Sequence, residues 1–211
     1  PLVVRAPYGG GVRGALYHSQ SVEVVFAHAP GLVVITPATP YDAKGLLKSA
    51  IRNDDPVIFL EPKRQYHAEK AELDETATPE PLFTSRVVRR GEDVTVLAYG
   101  PTVKTAMSAA EAAATEGRSL EVIDLRTLSP LDMGPVYESV RRTGRAVITH
   151  EAHVNLGIGA EVAARVTEEC FYSLESPVLR VGGLDVPLPY AANLETLALP
   201  QAATIAEAAR K

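Results

Sequence analysis

The 211-residue sequence has one cysteine, no tryptophan and few other aromatic residues, which together make up 6% of the chain. The single cysteine, Cys170, excludes a disulfide within the chain and is typical of proteins from a reducing compartment. It stands beside Glu168 and Glu169, whose charges disfavour a reactive thiolate. We therefore expect Cys170 to be a packing residue at the end of a helix.

Long apolar runs and an excess of positive charge are also missing. No stretch approaches the ~18 to 20 apolar residues of a membrane-spanning helix, and the start of the chain lacks the pattern of a signal peptide. The net charge is −5, and we interpret the one local basic group, Arg86, Arg89 and Arg90, as a solvated strand end and turn. Nucleic acid and anionic membrane surfaces are therefore not expected as partners. We expect a soluble protein, cytoplasmic in a bacterium or in the mitochondrial matrix of a eukaryote.

The sequence alternates short β-branched runs with longer alanine-rich segments, a pattern typical of an α/β protein with a largely parallel sheet. Residues 1–62 predict strands at 2–4, 32–35 and 57–60 and helices at 21–28 and 41–52. Three strands are few for a sheet that is buried on both faces. We therefore expect that the chain has lost an N-terminal segment or depends on another chain to complete this sheet.

A second unit follows a polar stretch. Residues 63–81 are acidic, lack a clear period and contain two prolines, so we interpret them as a linker across a surface. Residues 82–211 predict a complete α/β unit of their own. Its strands are predicted at 94–98, 120–124, 146–149 and 178–181, and its helices at 101–117, 132–142, 157–170 and 202–211.

The stretch from Tyr8 to Ser21 is the leading candidate for chemistry. It contains four glycines, at positions 9, 10, 11 and 14, followed by His18. The run matches neither a Walker phosphate loop nor a dinucleotide fingerprint. A histidine among hydroxyl and amide side chains suits proton transfer near neutral pH. The structural alternative is that Ser19 or Ser21 caps a helix and His18 packs in a polar pocket.

His150 and Glu151 follow a predicted strand at its carboxyl end, where open α/β sheets bind ligands. Neighbouring residues of a strand point to opposite faces, so the pair cannot hold one metal ion. We favour an interface or supporting role for the pair over a direct catalytic one.

Other titratable residues are interpreted as structural or surface residues. Asp124 and Arg126 end another predicted strand and are expected to form an internal ion pair or to cap a helix. His28, His67 and His153 are interpreted as surface residues.

The segments 5–11, 14–21, 29–32, 40–47, 55–64 and 122–127 together resemble the beta subunit of the thiamine-diphosphate-dependent 2-oxo acid dehydrogenases, which are transketolase-like proteins. The motif Gly-Ala-Leu-Tyr-His-Ser-Gln-Ser at 14–21 is more similar to the branched-chain enzymes than to the pyruvate or acetoin enzymes. The resemblance implies an α/β fold: part of a pyrimidine-binding-type parallel sheet domain in residues 1–62, a linker in 63–81, and a transketolase C-terminal-like α/β domain in 82–211.

The resemblance also implies a reaction and partners. The reaction is oxidative decarboxylation of a branched-chain 2-oxo acid with transfer of the acyl group to lipoamide. Thiamine diphosphate and magnesium would be shared with an alpha subunit, in a heterotetramer with a second beta subunit, and a lipoyl-bearing acyltransferase core would accept the acyl group. The alternatives are a pyruvate or acetoin dehydrogenase beta subunit, or a non-catalytic assembly and docking module as the isolated chain.

For the site, the resemblance implies that His18 assists acyl transfer. Tyr17, Ser19 and Gln20 would orient its imidazole, and Tyr8 would line the channel. The carboxylate that activates the aminopyrimidine of the cofactor is expected to lie before residue 1. The chain alone is therefore expected neither to bind thiamine diphosphate tightly nor to turn over.

Branched-chain members further imply a structural potassium site formed mainly by main-chain carbonyls. The matching positions are Leu2, Val3, Ala50, Asn53 and Asp55. In the mammalian pattern the residues at 53 and 55 are Asp and Asn respectively, so this sequence exchanges them but keeps an oxygen ligand at each.

Overall fold

The computed structural model describes residues 1–73 and 79–211. The middle of the predicted linker, residues 74–78, lies outside the described residues, so the linker as a whole stays a prediction. The described residues form a four-stranded and a five-stranded sheet. No helix in the described ranges has the length and apolar character needed to cross a membrane.

The first part of the chain forms three parallel strands with short helices between them. Its elements are β1 (Leu2–Tyr8), α1 (Ala15–His18), α2 (Glu23–Ala27), β2 (Val33–Ile35), α3 (Pro40–Arg52) and β3 (Pro56–Pro62), followed by a 3-10 turn at Lys63–Tyr66. β3 pairs with both β1 and β2. The start of α3 is encoded locally: the Thr39 hydroxyl accepts a hydrogen bond from the Asp42 N–H, and Pro40 occupies the first helical position.

The second part forms the larger sheet. Its elements are β4 (Arg86–Arg89), β5 (Val94–Ala98), α4 (Pro101–Thr115), β6 (Leu120–Asp124), β7 (Thr127–Ser129), α5 (Gly134–Thr143), β8 (Ala146–His153), α6 (Ile158–Cys170), β9 (Leu179–Gly183), α7 (Ala192–Ala198) and α8 (Ala202–Arg210). The sheet order is β4-β6-β5-β8-β9, with only β4 antiparallel. The predicted α/β class with largely parallel sheets is thereby confirmed.

β7 joins the two halves of the molecule. It pairs antiparallel with β2 and becomes the fourth strand of the first sheet. Residues 1–62 therefore do not form that sheet alone, because a segment far along the chain adds a strand. The short connection from β6 to β7 contains Arg126 at φ 55°, a left-handed conformation that turns the chain sharply between the two sheets.

The expected ion pair between Asp124 and Arg126 is wrong. The Arg126 guanidinium instead pairs with Asp42 at 3.2 Å and with Glu80 at 3.1 Å. Within residues 1–73 and 79–211, the Asp124 carboxylate accepts a hydrogen bond only from the backbone N–H of Arg126, at 3.1 Å. Arg86 also pairs with Asp42, at 2.5 Å, and Arg90 pairs with Glu121, at 3.6 Å, so two members of the basic group that we interpreted as a solvated strand end are ion-pair partners of buried carboxylates.

The core is divided by the faces of the first sheet. One face packs on α3 through Val57 and Phe59, and the other contributes Ile58 and Leu60 to the large cluster shared with the second sheet. This alternation follows from the two-residue period of a strand. The second half thus rests directly on the first sheet.

Several local predictions can be compared with these bounds. The strands predicted at 94–98 and 120–124 are confirmed, and buried Cys170 ends α6 as expected. The helix predicted at 21–28 is shorter, and no side chain caps it. The elements α1, β7 and α7 were not predicted, since they are short or, like β7, defined by pairing with a distant strand, and β4 was predicted only as a strand end.

Candidate functional site

The glycine loop, residues 9–20, begins where β1 ends, and its base is closely packed. Gly9 has φ +90°, and a Cβ there would lie 3.0 Å from Glu151 Oε2. A Cβ on Gly10 would lie 2.4 Å from Leu199 Cδ1. A larger residue at either position would therefore have to displace Glu151 or Leu199, because the second half of the molecule fills the space beside the base.

A buried carboxylate from β8 binds the base of the loop. Glu151 Oε2 accepts a hydrogen bond from the Gly10 N–H at 2.8 Å. Its other oxygen lies 3.1 Å from Arg64 Nη2, which also donates to the Pro101 carbonyl at 3.0 Å. Burial raises the pKa of the Glu151 carboxyl, while Arg64 and the Gly10 N–H oppose that shift. These contacts tie β8, the loop and the segment after β3 together.

A second carboxylate, Glu195 of α7, binds the next part of the loop. Glu195 Oε1 accepts hydrogen bonds from the Gly11 N–H at 3.1 Å and from the Arg13 N–H at 3.3 Å. The Glu195 side chain is buried, with 4% of the residue exposed. Together, Glu151 and Glu195 accept hydrogen bonds from three backbone N–H groups of the loop, those of Gly10, Gly11 and Arg13. We call this pair of carboxylates the carboxylate clamp.

The tip of the loop differs from its base. Arg13 and Ala15 have φ values of 57° and 50°, and the chain then forms the single turn of α1, which ends at His18. Tyr17 is 81% exposed and His18 is exposed. The His18 imidazole makes no hydrogen bond to another described residue. The loop therefore presents His18 to the outside of this chain.

The residues expected to orient His18 lie in different places. Ser19 is buried, and its hydroxyl accepts a hydrogen bond from the Gly14 N–H at 2.8 Å. The main-chain carbonyl of Gln20 accepts a hydrogen bond from the Gly9 N–H at 3.5 Å. Both contacts close the loop on itself, so Ser19 and Gln20 shape the loop that carries the imidazole, and Tyr17 stands beside it at the surface.

Tyr8 lies behind the loop, in the core. It is 2% exposed, and its hydroxyl lies 2.5 Å from Thr36 Oγ1. Burial raises the pKa of Tyr8 well above its usual value. A Cβ on Gly100 would come within 2.2 Å of the Tyr8 hydroxyl, so glycine at position 100 makes room for it. The structure thus places Tyr8 under the loop.

Two buried acids stand in the same interior. Glu23 accepts a hydrogen bond from the Tyr99 hydroxyl at 2.7 Å, and burial raises its pKa to about 7. Burial likewise raises the pKa of Asp124 to about 7, with repulsion from Asp42 adding to it. One oxygen of each carboxylate lacks a hydrogen-bond partner among the described residues. Both carboxyl groups, whose pKa values are near 7, therefore remain partly protonated at neutral pH.

His150 and Glu151 both take supporting positions. The buried His150 ring stacks on Tyr99, with ring centroids 5.9 Å apart, and Nδ1 lies 2.9 Å from the Ala152 carbonyl. Burial lowers the pKa of His150 to about 4, so the imidazole is neutral and Nδ1 is the donor. The His150 side chain is fully buried, whereas the Glu151 carboxylate binds the glycine loop.

The remaining histidines lie at or near the surface. His28 and His67 are exposed, and His153 is partly exposed and lies 3.3 Å from Asp185. Within the described ranges, no three His, Cys, Asp or Glu side chains cluster in a way that could hold a metal ion.

The predicted potassium positions meet at the other end of the first sheet. Leu2 and Val3 pair with Pro56 and Val57, next to Asp55. Asn53 follows the last residue of α3, and its N–H donates to the Ala50 carbonyl at 3.2 Å. Carbonyl oxygens at a helix C-terminus favour a cation, so the local chemistry fits potassium. The ligand set stays a prediction.

The described residues do not fit the thiamine cofactor as a complete site. The cavity at the loop, lined by Ser19, Gln20 and Glu151 among others, has a volume of about 10 Å³, which is room for about one water molecule. We assign no described residue to the carboxylate that would activate the aminopyrimidine. The chain contributes an exposed histidine, His18, on an anchored loop.

A larger cavity of about 320 Å³ lies between α3 and the α3-facing side of the first sheet. Its floor is apolar, and Arg5, Glu61 and Tyr66 form a hydrogen-bonded group at its edge, with 2.5 Å between Arg5 Nε and Glu61 Oε1. The sequence analysis did not find this cavity, because its walls come from segments that are far apart in the chain.

Comparisons with known proteins agree with the two units of the fold. The model of the transketolase pyrimidine-binding domain matches residues 1–69, and that of the transketolase C-terminal domain matches residues 84–205. The chain belongs to the transketolase family. The resemblance predicted from the sequence motifs is confirmed, since the similar proteins are beta subunits of 2-oxo acid dehydrogenases.

Three relatives show the range of this part of the transketolase family. The chain is 50% identical to the pyruvate dehydrogenase E1 component subunit beta of Leifsonia xyli, over 98% of this chain and 61% of that protein. It is 48% identical to the 2-oxoisovalerate dehydrogenase subunit beta of Bacillus subtilis, over 92% and 60%. It is 50% identical to the 3-methyl-2-oxobutanoate dehydrogenase subunit beta of Mycobacterium tuberculosis, over 95% and 57%. The chain thus spans about 60% of the length of these relatives.

Among solved structures, the chain is similar to a split gene transketolase described as an inactive beta4 tetramer. The TM-score is 0.78 at 25% identity, over 99% of this chain and 65% of that one. The arrangement of the two sheets is therefore the one found in this family.

Proposed function

We propose that this chain is part of the beta subunit of a thiamine-diphosphate-dependent 2-oxo acid dehydrogenase that acts on branched-chain 2-oxo acids. The observation that carries the proposal is the exposed His18 at the tip of a loop whose base is fixed by buried carboxylates. An imidazole held at a protein surface in this way can act on a substrate group that another subunit or domain presents.

The role proposed for His18 is proton transfer during acylation of lipoamide. When the lipoyl disulfide opens, one sulfur takes the acyl group and the other develops negative charge. An imidazole can donate a hydrogen bond or a proton to that sulfur. Because the imidazole has no partner within the described part of the chain, it is available for this contact. Ser19 and Gln20 act by shaping the loop and Tyr17 by standing beside the imidazole.

The proposed partners are an alpha subunit, a second beta subunit and a lipoyl-bearing acyltransferase core, in a bacterial cytoplasm or a mitochondrial matrix. The names of the relatives describe them as beta subunits. This chain also exposes large apolar side chains that a partner would cover. They include Leu156 at 79%, Tyr172 at 100%, Tyr190 at 74% and Leu197 at 70% exposure. Thiamine diphosphate with magnesium, shared with the alpha subunit, is the proposed cofactor.

A pyruvate dehydrogenase beta subunit is the second candidate. The motif at 14–21 favours the branched-chain enzymes, whereas the relative from Leifsonia xyli, at 50% identity, is named as a pyruvate enzyme. The two candidate enzymes differ in the acyl chain of their substrate. In an apolar pocket, one extra methyl or methylene group changes the preference between two substrates by about 10- to 200-fold.

The experiment is an assay of the full-length protein assembled with its alpha partner, with 3-methyl-2-oxobutanoate and pyruvate as competing substrates. The proposal predicts a kcat/KM at least ~10-fold higher for the branched substrate. A preference for pyruvate would assign the chain to the second candidate. No activity on either substrate, with co-purification of the acyltransferase binding domain, would favour the assembly and docking module.

Calorimetry of the 211-residue chain with thiamine diphosphate tests the cofactor part separately. We expect no tight binding, because the cavity at the loop has a volume of only about 10 Å³ and the described residues form no complete cofactor site. Tight binding by the chain alone would contradict this expectation.

A further inference from the structure

Glu195 lies far from the glycine loop in sequence, on the short helix α7 near the end of the chain. Its carboxylate nevertheless accepts the Gly11 and Arg13 N–H groups at 3.1 and 3.3 Å. These two amides bracket the point where the loop leaves its buried base and turns towards its tip. An acceptor at this point determines the direction in which the tip extends.

Glu151 supports the same loop one residue earlier. Its Oε2 accepts the Gly10 N–H at 2.8 Å, and its other oxygen faces Arg64. Leu199, directly after α7, fills the space that a Gly10 side chain would need. The base of the loop is therefore held by two carboxylates and one leucine of the second unit.

Among the described residues, none of the second unit forms a hydrogen bond with residues 14–18, the tip of the loop, which is held within the loop by the bond from the Gly14 N–H to the Ser19 hydroxyl. Ala15 has a left-handed backbone, and the turn that ends at His18 has no buried residue. A left-handed conformation costs a non-glycine residue on the order of 1 kcal/mol and persists only where the surroundings hold it. The clamp supplies that constraint, because Glu195 binds the backbone N–H groups of Gly11 and Arg13. Gly11 lies two residues before Arg13, and Arg13 is itself left-handed, like Ala15.

We propose that Glu195, together with Glu151, is a positioning residue for His18, so that the second unit sets the geometry of the acyl-transfer histidine. This gives residues 82–211 a role in the active site in addition to the assembly role implied by the family resemblance. The inference rests on the proposed function for the task of His18. The clamp itself is tested without catalysis.

The first experiment measures amide hydrogen exchange in the full-length protein, with Glu195→Ala as the variant. Exchange at Gly11 and Arg13 should accelerate about 10-fold or more, the factor expected for loss of a hydrogen bond to a charged acceptor. Glu195→Gln keeps a carbonyl acceptor and should recover most of the protection. Unchanged exchange at Gly11 and Arg13 in Glu195→Ala would overturn the proposal.

Glu207→Ala is the matched control. Glu207 lies on the neighbouring helix α8, where its side chain is 65% exposed and pairs only with Lys211 at 3.7 Å. Its loss should leave the loop amides unchanged. If Glu195→Ala does not fold, Glu195→Asp provides the test, because its shorter arm cannot reach both amides and should expose at least one. Protection of both in that variant would also overturn the proposal.

The second readout is catalytic and uses the enzyme assembled with its alpha partner. Glu195→Ala should lower kcat for lipoamide acylation about 10-fold with a smaller change in KM for the 2-oxo acid, and Glu195→Gln should restore kcat. Faster exchange without any acyl-transfer activity in the wild type would reject the proposed function and leave the clamp standing. Faster exchange with an unchanged kcat would reject the positioning role.

Discussion

The base and the tip of the glycine loop are only a few residues apart but differ in almost every physical respect. Gly9 and Gly10 are buried, Glu151 of the second unit binds the Gly10 N–H, and Glu151 and Leu199 occupy the space that side chains at these two positions would need. Leu16 and Tyr17 are 46% and 81% exposed. The difference indicates a division of labour: the base contributes to stability and fixes geometry, while the tip contributes contacts outside the chain.

Removal of Arg64 should give the largest effect on stability. Arg64→Ala leaves the buried Glu151 carboxylate without its charged partner, and we expect a cost of about 3 kcal/mol, the lower end of the range for a broken buried pair, because a third of the Arg64 side chain is exposed. Denaturant unfolding would measure it. Arg165→Ala is the control, since its exposed pair with Glu161 is worth at most ~0.5 kcal/mol. Equal losses in the two variants would contradict the distinction between the base and the surface.

The interior behind the base should make stability depend on pH. The pKa of Glu23 is about 7 in the folded protein and 4.5 in its ordinary state, so the folded state keeps a proton that the unfolded state releases. Stability should therefore fall as pH rises from about 4.5 to 7 and level off above, by on the order of 3 kcal/mol.

Glu23→Gln removes this ionisation and keeps an acceptor for Tyr99. Unfolding experiments at pH 5 and pH 8 should find the variant close to the wild type at the lower pH and more stable than it at the higher one. Asp124 titrates with the same sign, so some slope remains. Parallel pH profiles for the variant and the wild type would count against a buried, protonated Glu23.

A methyl group at the base should destabilise the protein by a smaller amount. Gly10→Ala places its Cβ 2.4 Å from Leu199 Cδ1, and overpacking of this kind costs about 1–3 kcal/mol. Gly134→Ala is the matched control, because its Cβ would meet only Asp132 Oδ1, at 3.5 Å, at the start of a helix. Thermal unfolding should give a lower melting temperature for Gly10→Ala than for Gly134→Ala. Equal melting temperatures would contradict close packing at Gly10.

Substitution at the tip should have the smallest effect on stability. Tyr17→Ser removes a ring that is 81% exposed, and such surface changes are usually within ~0.5 kcal/mol. The same unfolding measurement applies. A loss as large as that of Gly10→Ala would mean that the tip is also part of the packed structure.

The strands β5 and β6 of the second sheet were readable from the sequence because each is a short run rich in aliphatic and β-branched residues. β7 was missed because three residues carry no period, and their pairing with β2 depends on the fold as a whole. α7 was missed for a similar reason, since its seven residues stand between prolines and lack a capping side chain.

The same limit explains the errors at the site. Asp124 and Arg126 are neighbours in sequence, but the guanidinium pairs with Asp42 and Glu80 because the left-handed turn at Arg126 directs it towards the first sheet. Nothing in the sequence distinguishes Glu195 from other helical glutamates. Its importance arises only when α7 packs beside the glycine loop.

A double-mutant cycle between His18 and Glu195 tests the central claim most directly. Rates of lipoamide acylation are measured for the assembled wild type, His18→Ala, Glu195→Ala and the double variant. If Glu195 acts through His18, Glu195→Ala lowers the rate about 10-fold in the wild type and leaves it unchanged in the His18→Ala background. An equal fall in both backgrounds, or an unchanged rate in His18→Ala itself, would contradict the account.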